Sequence, residues 1–139
     1  MFLFVDTSAT GKIHLSLFTS TQKVDDFVFE GGNTISEKLP EVIEEFLSRH
    51  TIVVSSLEGI IVVTGPGSFT SLRIACAVAN TLSQTLGIAL FGAPLSELDT
   101  DEKIILATSK VAKGITLVPA YDREANITIR SQESEVGSQ

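Results

Sequence analysis

Asp6, Thr7 and Ser8 follow an apolar run near the start of the chain and have side chains that could bind a phosphate. The carboxylate could orient a metal-bound water, and the two hydroxyls could meet phosphate oxygens. The same residue types are common in turns, where they hydrogen-bond their own backbone. No second phosphate loop or adenosine pocket is recognisable later in the chain, so the turn is the favoured interpretation and a nucleotide site is the alternative.

A second candidate loop contains Gly65, Pro66, Gly67 and Ser68, with Thr70 just beyond it. It lies between an apolar run and a predicted helix, whose first main-chain N–H groups could hold an anion. The loop lacks the third small residue of a dinucleotide fingerprint and the Gly-Lys-Ser/Thr of a P-loop. A structural strand-to-helix turn is therefore favoured, with Ser68 or Thr70 as the N-cap.

Residues for metal binding or nucleophilic catalysis are sparse. His14 and His50 have no ligand-type spacing, and Ser68 and Ser71 lack the Gly-x-Ser-x-Gly elbow. Cys76, the single cysteine, rules out an intrachain disulfide and stands among apolar residues, where it is expected to be a small core or interface residue. We expect no metal, no cofactor and no catalysis by this chain alone.

The helix predicted after the second loop has an unusually wide apolar face. Its apolar side chains cover an arc of roughly 200°, whereas a core-facing helix usually has a stripe somewhat over 100° wide. One side should pack on a sheet and the other on a second helix, from this chain or a partner. Arg73 is unfavourable near the helix N-terminus, which suggests an acidic partner on a neighbouring surface; a solvated arginine is the alternative.

The remaining pattern predicts a mixed sheet. Strands are expected over 2–6, 13–18 and 24–30 as an antiparallel meander, and Thr34 to Glu37 fits a capping box. Pro40 predicts a kink or a later helix start. A strand, the wide-faced helix and another strand follow, then a helical turn over 93–98. The order β-β-β-α-β-α-β is that of the ribonuclease-H-like fold of actin and sugar kinases.

Beyond this core the pattern predicts three short strands, over 103–108, 114–121 and 126–130. The predicted organisation is therefore a first subdomain over 1–98, a reduced second subdomain over 99–130 and a flexible tail over 131–139. With 139 residues and a net charge of −7, the chain is a small domain unsuited to strong direct RNA binding. It shows no signal peptide and no long apolar run, so a cytoplasmic protein without membrane association is expected.

Val5 to Ser8 and the stretch from Gly65 to Ile74, followed by Leu86-Gly87-Ile88, resemble the TsaB family, also called YeaZ. The family reads GPGSFTGLRIG here, and this chain differs at Ser71 and Ala75, where the family has glycine. The similarity covers roughly residues 2–98. It implies an actin-like ATPase-type fold without catalytic function. It also implies a role as the partner of the catalytic subunit TsaD in making threonylcarbamoyladenosine in transfer RNA.

The resemblance also implies a helical surface that binds TsaD, or a second copy when TsaD is absent. Its residues, carried over by position, are Phe69, Leu72, Arg73, Cys76 and Asn80, with Thr34 and Glu37 from the first helix. A third, ATPase partner of the pathway is possible. The family's complete second subdomain, often with an Asp-Ala-Arg-x-Gly-Glu stretch, is not matched here. A weak nucleotide-binding ATPase is the alternative function, and a ribonuclease-H-type nuclease ranks last because only Asp6 is well placed.

Overall fold

A computed structural model of the protein describes residues 1–32 and 35–120. These residues form five strands and three α-helices. The first three strands follow one another, and helices and strands alternate after them. In chain order the elements are β1 (Phe2–Asp6), β2 (Lys12–Phe18), β3 (Lys23–Glu30), α1 (Leu39–Ser48), β4 (Gly59–Gly65), α2 (Phe69–Leu86), β5 (Ala89–Pro94) and α3 (Asp101–Ala107). Short 3-10 turns precede α1, β4 and α3. No helix in the described parts of the chain is long and apolar enough to cross a membrane.

The strands form one mixed sheet in the order β3-β2-β1-β4-β5. The first three are antiparallel neighbours, and β1, β4 and β5 are parallel. Parallel strands require crossover connections, which α1 and α2 provide. The predicted meander and the β-β-β-α-β-α-β order are confirmed, and the fold is of the actin-like, ribonuclease-H-like type.

The sheet is covered on both faces, which explains why β1 and β4 are almost continuously apolar. Alternate side chains of β1 point to opposite faces: Leu3 and Val5 join a core with α1 and α2, whereas Phe2 and Phe4 join a second core with α3. Helices α1 and α2 therefore lie on one face of the sheet, and α3 lies on the other.

Helix α1 begins at Leu39, later than the predicted capping box suggests. Pro40 occupies its first turn, where a missing N–H is harmless, so the later start is the outcome and no kink is needed. Ile35–Lys38 form a 3-10 turn, and Thr34 lies outside the described residues.

The strand predicted over 103–108 is wrong, because residues 101–107 form α3. Thr100 caps this helix by accepting from the main-chain N–H of Lys103, and Ile104 and Ala107 become buried one turn apart. The strand predicted over 114–121 is also absent from residues 114–120; before them, Ala112 forms a single antiparallel bridge with Leu90. The predicted strand over 126–130 and the tail over 131–139 lie outside the described residues. The division into subdomains stays a prediction.

Candidate functional site

The two loops singled out from the sequence are in direct contact. The main-chain N–H of Ser68 donates to the carbonyl oxygen of Ser8 over 3.2 Å. Gly67 lies so close to the same backbone that a Cβ at this position would be 2.4 Å from the Ser8 oxygen. Glycine is therefore required by close approach, and the loop joins the first hairpin to the start of α2.

The polar groups of the first hairpin are engaged within the protein. Thr7 is fully buried, and its hydroxyl donates to the carbonyl of Ser71 at 3.0 Å. Asp6 Oδ1 accepts from the Ser8 main-chain N–H at 2.9 Å and from its hydroxyl at 2.7 Å. This arrangement is a self-capped turn, as the favoured interpretation of Asp6, Thr7 and Ser8 predicts.

Asp6 also borders a cleft of about 180 Å³ between the sheet and the segment that leads into α3. His14, Asp99 and Asp101 lie around the same cleft. The described residues contain no group of three or more histidine, cysteine, aspartate or glutamate side chains arranged to hold a metal ion.

Both histidines pair with acids of β3, and His14 is also the cross-strand neighbour of Asp6. His14 Nε2 lies 2.6 Å from Asp26 Oδ1, and His50 Nε2 lies 2.8 Å from Asp25 Oδ2. Because Asp25 and Asp26 are adjacent in a strand, they reach their partners on opposite faces of the sheet. These contacts attach β3 to β2 and to the end of α1.

Ser68 occupies the N-cap position of α2, as predicted, but its hydroxyl makes no capping hydrogen bond. The loop instead gains its order from the contact between Ser68 and the Ser8 backbone. Thr70, the other candidate cap, is exposed in the first turn of the helix.

The inner side of α2 belongs to the core of the chain itself. Leu72 is fully buried and Cys76 is 2% exposed, so their predicted place on a partner surface is corrected: they pack beneath the helix. Burial raises the pKa of the Cys76 thiol to about 11, which keeps the side chain neutral and unreactive. The apolar arc read from the helical wheel combined this buried side with a second, outer one.

The outer side of α2 carries two shallow grooves of about 270 Å³ each. They share Ala77, whose small exposed side chain would let another helix approach closely. One groove is lined by Thr70, Arg73, Ile74 and Ala77, and the other by Pro40, Ala77, Val78, Thr81 and Leu82. Ile74, Val78 and Leu82 are only partly buried: Val78 and Leu82 pack against the core of the chain and also line the second groove, and Ile74 lines the first. We call these grooves the outer face of α2.

Phe69 and Arg73 flank the N-terminal end of the outer face. Phe69 is 50% exposed, and the guanidinium of Arg73 lies 5.2 Å from the centre of its ring, a cation–π contact. Arg73 forms no ion pair with a carboxylate in residues 1–32 or 35–120. Both side chains are exposed enough to be reached from outside, as their predicted role requires.

Asn80 is engaged internally, contrary to its predicted place on the partner surface. Its amide nitrogen donates to the carbonyl of Leu117 at 3.0 Å, and its amide oxygen accepts from the N–H of Leu117 at 2.8 Å. The buried Leu117 side chain packs closely over Gly92. Sequence reasoning missed this clamp because residues 37 positions apart give no local pattern. Of the two interface residues expected before α1, Glu37 is exposed and Thr34 lies outside the described residues.

Known proteins match part of the sequence of this chain and its fold. The sequence model of the family described as "TsaD: tRNA N6-adenosine threonylcarbamoyltransferase" matches residues 32–99. None of the curated proteins matches the chain. YeaZ from Pseudomonas aeruginosa superposes with a TM-score of 0.59 at 22% identity, covering 67% of this chain and 43% of that one.

The fold is shared with YeaZ. A Pseudomonas aeruginosa protein described as similar to peptidase YEAZ gives the same TM-score and identity and has 42% of its length covered. RuvC from Thermus thermophilus has a TM-score of 0.47 at 10% identity, covering 86% of this chain and 83% of that one. The chain thus spans less than half the length of the two YeaZ-type structures.

Proposed function

We propose that this chain is a TsaB-type partner subunit. It binds a TsaD-like transferase through the outer face of α2 and thereby supports threonylcarbamoyladenosine modification of transfer RNA. The observation that carries the proposal is the pair of grooves that meet at the exposed Ala77, one apolar and one part-polar in the described residues, because a helix with grooves on both sides of a small residue is suited to packing by another helix.

The comparisons support the same pathway. The segment matched by the TsaD family model, residues 32–99, includes both helices on this face of the sheet. The shared fold with YeaZ adds to this support, as does the GPGSFT loop, which contacts the first hairpin and sets where α2 begins.

The proposed action is conformational. Burying Ile74, Val78 and Leu82 under partner helices would contribute association free energy at about 25 cal/mol per Å² of apolar surface, before the entropic costs of binding. The chain would hold its partner in an active form and add no reacting group. Cys76 fits this role, since its buried, high-pKa thiol is unsuited to nucleophilic attack.

A nucleotide-binding ATPase is less well supported. The Thr7 hydroxyl is buried and already donates to Ser71, and the Ser8 hydroxyl donates to Asp6, so neither is positioned to donate to a phosphate. Calorimetric titration with magnesium-ATP separates the two functions: saturable heat at micromolar nucleotide would favour the ATPase.

The test is co-purification of the chain with the TsaD-type protein of the same organism. Ile74→Asp and Val78→Asp place charges on the outer face and should abolish recovery of the complex. Leu106→Asp is the matched control, because Leu106 is a 62% exposed apolar residue on α3, across the sheet. Thermal melts verify that all three variants fold. Equal recovery of all variants would refute the proposed function.

A further inference from the structure

We propose that Arg73 recognises a carboxylate on the partner helix and so fixes the direction in which that helix lies on α2. This inference rests on the proposed function and specifies the chemistry of the same surface. It assigns to the partner an amphipathic helix with small or aliphatic residues at one end of the contact and an aspartate or glutamate at the other.

The first support is that Arg73 has no carboxylate partner in the part of the chain that the structure describes. Its guanidinium lies over the Phe69 ring, but no carboxylate in residues 1–32 or 35–120 pairs with it. Arg49, by contrast, is paired with Glu45 at 3.0 Å. A planar guanidinium held against a ring presents its N–H groups in a fork that matches a carboxylate.

The second support is the cost of a cation at this position. Arg73 is the fifth residue of α2, just past the first turn at the positive end of the helix dipole, and the helix contains no aspartate or glutamate to offset it. An acidic group brought in by a partner would remove this unfavourable interaction in the complex. The same group would face the part-polar groove formed with Thr70.

The third support is the asymmetry of the outer face. The groove at the C-terminal end is lined by Pro40, Val78 and Leu82 together with Ala77 and Thr81, and none of these described lining residues is charged. The N-terminal groove contains Arg73. A partner helix with an acid at one end and apolar residues at the other therefore fits in one direction only.

Charge complementarity favours a different protein over a second copy of this chain. The α2 of a second copy offers no carboxylate to Arg73, and two chains of net charge −7 repel each other. A second copy could present an acid only from elsewhere, such as the exposed Glu41 of α1. That arrangement is a distinguishable outcome of the test.

The experiment measures the dissociation constant between the chain and the TsaD-type protein of the same organism by calorimetry. Arg73→Glu should weaken binding by about tenfold or more, because a charge pair becomes a repulsion. Arg73→Lys should fall between this variant and wild type, since lysine keeps the charge and loses the fork. Lys110→Glu, the same charge change across the sheet, should alter affinity less than about twofold. Arg73→Glu suits the helix dipole, so unfolding is not expected.

The outcomes separate this inference from the proposed function. Arg73→Glu binding within twofold of wild type, while Ile74→Asp abolishes binding, overturns the inference alone. If the wild-type chain does not bind, the inference and the proposed function are both overturned. The same holds if Arg73→Glu and Ile74→Asp both bind as tightly as wild type. Light scattering of the chain alone tests whether a second copy occupies the surface. A dimer that Arg73→Glu dissociates would assign the surface to a second copy and overturn the inference.

Discussion

Thr7 and Ser71, 64 residues apart in sequence, are joined by a buried hydrogen bond from the threonine hydroxyl to the serine carbonyl. The bond ties the first hairpin to the first turn of α2. Together with the contact between Ser68 and Ser8, it fixes where the helix starts and hence where its outer face lies on the sheet.

Thr7→Val should destabilise the protein by about 1 kcal/mol, because it keeps the shape of the side chain and removes a buried donor. Urea denaturation followed by circular dichroism measures the change. Thr10→Val is the control, since Thr10 is exposed in the same hairpin loop. Equal midpoints for the two variants would show that the hydrogen bond contributes nothing.

Asn80→Leu should release the segment that precedes residue 120. It removes both hydrogen bonds to Leu117 and leaves a buried main-chain N–H and carbonyl unpaired, at a cost of about 2 kcal/mol. Hydrogen exchange should rise over 112–120 and stay unchanged in β1. Gln84→Leu, an exposed position one turn further along α2, should change neither quantity.

The pair formed by His14 and Asp26 predicts a pH dependence. Partial burial, the largest influence, raises the pKa of Asp26, but hydrogen bonds from Ser16 and His14 and the charge of Lys23 together lower it below its ordinary 3.8. A lowered folded-state pKa contributes stability that is full above 3.8 and is lost as the pH falls through the folded value.

Wild type should therefore exceed Asp26→Asn in urea midpoint at about pH 5.5, with the gap closing below the ordinary pKa of the carboxyl. Glu41→Gln, an exposed position on α1, should track wild type throughout. A gap between wild type and Asp26→Asn that stays constant through acid pH would contradict the assignment.

Much of the sheet was predictable because its signals are local. The apolar run of β1, the alternation in β2 and the glycine-rich turn before α2 each depend on a few adjacent residues. The late start of α1 followed from Pro40 alone. The contact between the two motif loops was not predictable, since it depends on the pairing of β1 with β4.

The error at α3 shows how short apolar runs mislead. Residues 103–108 contain Ile104, Ile105 and Leu106 in succession, which fits a buried strand as well as a helix. The deciding signals were Thr100 followed by Asp101 and Glu102, a capping residue with acids in the first helical turn.

The error on α2 has a different cause. A helical wheel shows where the apolar side chains lie around the helix axis, but it does not show which of those side chains the sheet covers. Leu72 and Cys76 are buried, whereas Ile74, about 160° around the helix from Leu72 at 100° per residue, lines the outer groove. Val78 lies at the margin, where it packs against the core and also lines a groove. The partner surface that we propose is therefore displaced around the helix from the position expected from the sequence.

The most direct test is a labelling footprint at Ala77, where the two grooves meet. Ala77→Cys introduces an exposed thiol, and Cys76 does not compete because it is buried with a pKa of about 11. Saturating TsaD-type protein should slow maleimide labelling of Ala77→Cys at least about tenfold and leave Leu106→Cys, across the sheet, unaffected. Unchanged labelling at position 77 in the presence of the TsaD-type protein would contradict the account.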